Sequence, residues 1–173
     1  AVMTVCGENR FQELTAHLAD NAYEGARLHF IGHLQTNKVK YVVGKVDLIH
    51  SVSSEKLLLA IDAQADKLGV VQDILLEVNL AGEASKSGFS PQESVDAAKK
   101  AAELAHVRLR GLMCIPPVST IPGENFHYFE TLRQLAVDIR RKIVDNNEDM
   151  DVLSMGMSGD YKDSTSISSL LST

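Results

Sequence analysis

The feature that most narrows the fold is a repeated change of period. Six times along the chain a short run rich in apolar and β-branched residues gives way to a longer stretch whose apolar residues recur every three or four positions. Residues 1–6 (AVMTVC) form the first run and end at Gly7, after which Phe11, Leu14, Leu18 and Ala22 lie at helical spacing up to Gly25. Arg27 to Ile31 is a second extended run, broken by Gly32, and polar residues 35–40 lead into a short helix. Residues 46–52 (VDLIHSV) read as a third strand. Ser53 or Ser54 can accept the first hydrogen bond of a helix whose apolar face is Leu58, Ile61, Ala65 and Leu68, and Gly69 sits where it would stop. Residues 73–79 (DILLEVN) are nearly continuously apolar, as in a strand covered on both faces. Ser90-Pro91-Gln92-Glu93 then combines a capping-box serine, a first-position proline and a glutamate at the third position, with Val95, Ala98, Ala102 and Ala105 as the expected buried stripe. Residues 108–114 (RLRGLMC) are a fifth strand. A Pro-containing loop, a helix marked by Phe129, Leu132, Ala136, Ile139 and Ile143, and a sixth strand at 151–155 (DVLSM) follow. Strands alternating with helices and no Gly/Ser linker predict one α/β domain with parallel strands.

Composition removes several classes of function. At 173 residues with 45% hydrophobic and 23% charged residues, the chain can bury one core. Its longest apolar runs fall far short of the roughly 20 residues a bilayer requires, so a cytoplasmic protein with no membrane partner is expected. Seventeen Lys plus Arg against 23 Asp plus Glu leave a net charge of −6, which offers no field for a phosphate backbone and speaks against nucleic acid as a partner. Two cysteines, Cys6 and Cys114, read as strand residues rather than a disulfide framework.

Two architectures accommodate six strand–helix units: an open doubly wound sheet, or part of a (β/α)8 TIM-type barrel, whose full form is about 250 residues. The Gly-rich turn G-x-G-x-x-G that dinucleotide-binding sheets carry after their first strand is absent, which favours the barrel. The segment SMGMSGD at 154–160, directly after a predicted strand, holds the most chemistry. Its glycines and Ser158 can turn tightly and offer amides and a hydroxyl to a phosphate; the same residues can also merely start a helix. His29 and His33 are four apart, yet the segment HFIGH lacks the glutamate of a helical zinc motif and no third ligand is evident, so no metal is expected. His50 reads as a packed imidazole or a general base, and Met113 as core filling at a strand end. Asn9 follows a strand and a glycine, where its amide caps a helix or touches a ligand. Lys38, Lys40 and Lys45 read as a solvated face, and Arg140-Arg141-Lys142 as charge suited to a helix C-terminus.

Taken together, GEN at 7–9 with QEL at 12–14, HFIGHLQTNK at 29–38, VN at 78–79, EASKSGF at 83–89, LRGLM at 109–113 and LSMGMSGDY at 153–161 resemble the pyridoxal phosphate homeostasis protein family, in order and over nearly the whole chain. The resemblance implies a (β/α)8 barrel like the N-terminal domain of alanine racemase, with pyridoxal 5'-phosphate (PLP) at the C-terminal mouth. It implies a non-catalytic role in vitamin B6 and amino-acid homeostasis, performed as a monomer. Carried across by residue, it places Ser158 and Gly159 at the phosphate, Asn9 beside the cofactor, and Met113 and His33 in its walls.

Two departures from the family pattern shape the remaining expectations. The N-terminal strand whose lysine forms the Schiff base with PLP has no counterpart, since the first lysine is Lys38. The closing strand that supplies an arginine and a Gly-Thr pair has none either, because residues 163–173 (DSTSISSLLST) contain neither arginine nor glycine. The expected fold is therefore a single barrel domain over residues 1–173 lacking its first and last strands, with a gap between two sheet edges and impaired aldimine formation. Alternatives are a PLP-dependent amino-acid racemase, which needs an acid/base on each face of the α-carbon, and a barrel enzyme acting on a small phosphorylated metabolite.

Overall fold

The structure, a computed structural model, describes residues 4–23, 25–143 and 150–168, and side chains as far as residue 165. Residues 1–3 of the expected first strand and 169–173 of the C-terminal segment lie outside the described residues. Among the described residues six strands form one sheet: β1 (Val5–Glu8), β2 (Arg27–Phe30), β3 (Leu48–Val52), β4 (Gln72–Glu77), β5 (Val107–Met113) and β6 (Val152–Ser154). They pair in the order β1-β2-β3-β4-β5-β6, each parallel to the next. A doubly wound sheet reverses its order at a switch point; this one never does, which is barrel topology.

The sheet is also strongly curled. Strands lie about 4.8 Å apart, so β3 and β6 would be roughly 14 Å apart if flat. His50 on β3 nevertheless places Nδ1 2.8 Å from the Ser154 hydroxyl on β6. No pairing joins β1 to β6 among the described residues.

Helices α1 (Phe11–Ala19), α2 (Glu55–Leu68), α3 (Pro91–Glu103), α4 (Phe126–Lys142) and α5 (Tyr161–Ser168) join the strands, with a 3₁₀ turn over Thr36–Tyr41. The caps follow the sequence. Ser54 Oγ accepts from the Leu57 amide, Gly69 ends α2 in the left-handed conformation, and Ser90 and Glu93 complete the capping box of α3. Helix α1 stops at Ala19 rather than near Ala22, because Asn21 turns left-handed and brings Tyr23 back to donate to the Glu8 carboxylate at the end of β1. The buried stripe of α3 is Ser94, Ala97, Ala98 and Ala101; Ala102 is exposed and Ala105 lies beyond the helix. Ser94 can be buried because its hydroxyl donates to the Pro91 carbonyl at 2.7 Å. Alanine spacing alone could not show that a serine shares the buried face.

The main core lies between the helices and the outer sheet face, built from Leu14, Phe30, Ile49, Ile61, Ile74, Leu76, Leu112, Phe129 and Leu132 among others. The inner face holds a smaller apolar layer of Leu48, Leu75 and Met113 packed with Val152. Below it, at the strand N-termini, Asp73 receives Arg108 at 2.6 Å and Arg110 at 2.8 Å, and Arg110 also reaches Asp151 at 2.8 Å. Strand β4 is covered on both faces, with four of its six residues buried and none exposed, although its inner face carries Asp73 and Glu77 beside Leu75.

Two bulges set what the inner face presents. Between β3 and β4 the register runs Ile49↔Ile74 and then Val52↔Leu76, one extra residue on β3. Between β4 and β5 it runs Ile74↔Leu109 and then Leu75↔Gly111, one extra on β5. Such insertions re-aim the side chains beside them. At the second, Gly111 has φ +152°, and a Cβ there would lie 1.8 Å from the Val152 carbonyl oxygen, so only glycine lets β6 approach.

Candidate functional site at the C-terminal mouth

In a parallel barrel the strand C-termini converge on one rim, where binding residues gather. The loop leaving β2 lies against the loop leaving β1: a Cβ on Gly32 would fall 1.8 Å from the Asn9 carbonyl oxygen, and the Ile31 amide donates to the Glu8 carbonyl at 2.8 Å. Asn9 thus sits exposed at the end of β1, locked by its backbone to the residue before His33. A cavity of about 310 Å³ opens beyond β2 to β5, lined by His33, Ser51, Glu77, Lys86 and Met113 with apolar Ile31, Val78 and Ile115. Of the expected site residues, the structure brings His33 and Met113 together here. Met113 is 4% exposed and forms its floor. Burial pushes the Glu77 carboxyl above its usual range, with His33 nearby opposing that shift. Lys86 Nζ lies 2.9 Å from Glu83.

Ser158 and Gly159 stand outside that cavity, in the turn between β6 and α5. The Met157 amide donates to Asp160 Oδ1 at 2.6 Å, and the Asp160 and Tyr161 amides donate back to the Met157 carbonyl. Asp160 is held in turn by the Asn125 side-chain amide at 2.7 Å. The Ser158 and Gly159 amides take no part in this closed turn, and no heavy atom lies within 4 Å of where a Gly159 Cβ would be. The turn therefore presents two open amides at the start of a helix, the arrangement a phosphate oxygen takes.

Sequence reasoning missed the polar chain beneath the rim. His29 Nδ1 lies 3.0 Å from His50 Nε2, and His50 Nδ1 lies 2.8 Å from Ser154 Oγ, linking β2, β3 and β6. His29 Nε2 and Ser51 Oγ are buried without a hydrogen-bond partner. Burial holds the His50 imidazole down to about 4 and lowers His29 in the same direction. Ser51 faces this side because the β3 bulge turns it there, and no period-two pattern could have indicated that. Among the described residues no three His, Cys, Asp or Glu side chains gather as a metal site, and no helix is long and apolar enough to cross a membrane.

The model of the family "Alanine racemase, N-terminal domain" matches residues 3–169. The pyridoxal phosphate homeostasis protein of Aquifex aeolicus (strain VF5) is 41% identical over 160 residues, 92% of this chain and 69% of that protein. Its counterpart in Pseudomonas aeruginosa (strain PAO1) is 35% identical over 156 residues, 90% of this chain and 65% of that one. The chain thus spans about two thirds of the length of the curated relatives it matches. Among solved structures, PipY of Synechococcus elongatus PCC7942 is 31% identical. Its form without PLP gives a TM-score of 0.86 over 94% of this chain and 75% of PipY. The form with PLP bound gives 0.82 over 92% and 74%. Diaminopimelate decarboxylase of M. jannaschii, 14% identical at a TM-score of 0.72, shares the fold. With this identity sustained over nine-tenths of its own length, on a consecutively wound parallel sheet, the chain belongs to the pyridoxal phosphate homeostasis protein family.

Proposed function

We propose that this chain binds pyridoxal 5'-phosphate at the C-terminal mouth and acts, as a cytoplasmic monomer, as a non-catalytic carrier or regulator in vitamin B6 and amino-acid homeostasis. The observation that carries the reading is the closed turn at Met157–Asp160, which leaves the Ser158 and Gly159 amides open at the start of α5. A phosphate dianion placed there gains about 0.3–1 kcal/mol per interaction, nearer 2 where partly buried. Ser158 and Gly159 would hold the phosphate, Met113 and His33 would wall the ring, and Asn9 would border it from the end of β1. When bound, the cofactor supplies an amine-reactive aldehyde and an electron-withdrawing pyridine.

A racemase must place an acid/base on each face of a substrate carbon. None of the six described strands carries a lysine, and Lys86, which lines the cavity, is ion-paired with Glu83. That favours binding over turnover. Titration with PLP followed by absorbance tests the reading. Saturable binding at least tenfold tighter than that of pyridoxal is expected, and replacing Ser158 with glutamate should abolish the preference by like-charge repulsion. Equal affinity for the two ligands, or deuterium entering the α-carbon of alanine in heavy water, would overturn it.

A further inference from the structure

The His29–His50–Ser154 chain has only two self-consistent proton arrangements. Each imidazole nitrogen pair, and the imidazole–hydroxyl pair, needs one donor and one acceptor. In the first arrangement Ser154 donates to His50 Nδ1, His50 Nε2–H donates to His29 Nδ1, and His29 is left with an Nε2–H. That hydrogen would be buried with nothing to accept it. In the second, His29 Nδ1–H donates to His50 Nε2, His50 Nδ1–H donates to Ser154 Oγ, and His29 Nε2 keeps a bare lone pair. Buried N–H groups without acceptors are rarer in folded proteins than under-used acceptors, so the second arrangement prevails. Both imidazoles are held neutral near pH 7 because burial lowers their proton affinity.

We infer that Ser154 is a hydrogen-bond donor to a ligand at the barrel mouth, with its polarity set by His29 and His50. Ser154 accepts from His50, so its own hydroxyl hydrogen is uncommitted. It is the last residue of β6, partly exposed at the rim, three residues before the Met157–Asp160 turn that carries Ser158 and Gly159. The ligand group it takes is an acceptor such as a phosphate or carbonyl oxygen or a pyridine nitrogen. Identifying that ligand as PLP rests on the proposed function; the polarity does not. His29 and His50 are positioning residues, acting on the ligand only through Ser154.

Nitrogen-15 NMR of the histidine side chains between pH 6 and 8 reads the polarity directly. Both His29 and His50 are expected to carry hydrogen on Nδ1 and none on Nε2, the tautomer opposite to the one favoured in water. Hydrogen on both Nε2 atoms would overturn the inference whether or not any ligand binds. Wild type, Ser154→Ala and Ser154→Thr are then titrated with PLP, pyridoxal and inorganic phosphate. Alanine is expected to weaken PLP binding about tenfold, the loss of one hydrogen bond to a charged or strong acceptor, while threonine retains it. Parallel weakening of inorganic phosphate assigns the acceptor to the phosphate, and parallel weakening of pyridoxal assigns it to the ring. Alanine binding all three ligands as wild type does would refute the ligand contact. A wild type that binds none of them would overturn both the proposed function and that contact, and the tautomers would still decide the polarity.

Discussion

Replacing Gly111 with alanine should uncouple β6 from the barrel. The new Cβ would lie 1.8 Å from the Val152 carbonyl oxygen, against an ordinary contact of about 3.5 Å, so the strands must part by roughly 1.7 Å. A hydrogen-bonded ladder does not survive that displacement. Among the described residues strand β6 pairs only with β5, at Gly111↔Val152, Leu112↔Leu153 and Met113↔Ser154, so all of that pairing is at stake. Losing two or three ladder bonds at about 1 kcal/mol each, plus about 1 kcal/mol for alanine at φ +152°, gives a destabilisation of about 3–4 kcal/mol. For a chain of this size that lowers the melting midpoint by about 10 °C. Calorimetry measures the shift, and hydrogen exchange locates it: the Cys114 amide, which donates to the Ser154 carbonyl, should lose protection first. Gly159→Ala is the control, since nothing lies within 4 Å of its Cβ position and its midpoint should move by no more than about 1 °C. A Gly111→Ala protein melting with wild type would refute the claim that β6 depends on this close approach.

Acid should weaken the fold through His50. The unfolded imidazole takes its proton near pH 6.5 and the folded one only near 4, so stability is present above 6.5, falls as pH drops, and levels off below about 4. The span corresponds to about 3 kcal/mol, and urea unfolding of His50→Gln should show that acid limb flattened. Asp73→Ala should cost about 2 kcal/mol in urea unfolding, because it takes the shared carboxylate from Arg108 and Arg110; a change below about 0.5 kcal/mol would show the cluster to be energetically idle. Ser90→Ala should cost about 1 kcal/mol, with the loss visible as faster exchange in the first turn of α3.

What could be read from the sequence was whatever is encoded by neighbours in the chain. Ser54, Gly69 and the Ser90–Glu93 box mark helix ends because the groups they satisfy lie within four residues. The six strands and their parallel order follow from period and connection length, and the turn at Ser158–Gly159 from its own glycines. The polar chain beneath the rim was not legible. Ser154 and His50 are 104 residues apart and meet only because the sheet curls. Ser51 owes its direction to the β3 bulge, which shifts the inward phase without leaving a pattern in composition. Asn9 meets Gly32 through the absence of a side chain, and the sequence shows the glycine but not what it makes room for.

The two bulges have an evolutionary consequence. In an uninterrupted strand, parity couples the two ends: any insertion that re-aims a residue at the rim would also turn the floor inside out. By taking up one extra residue in mid-strand, β3 and β5 separate these parities, so the Asp73–Arg108–Arg110 base keeps its alignment whatever the rim presents. Variation above the bulges can then be selected for ligand recognition with little penalty to the foundation, and the same base can carry mouths of different chemistry.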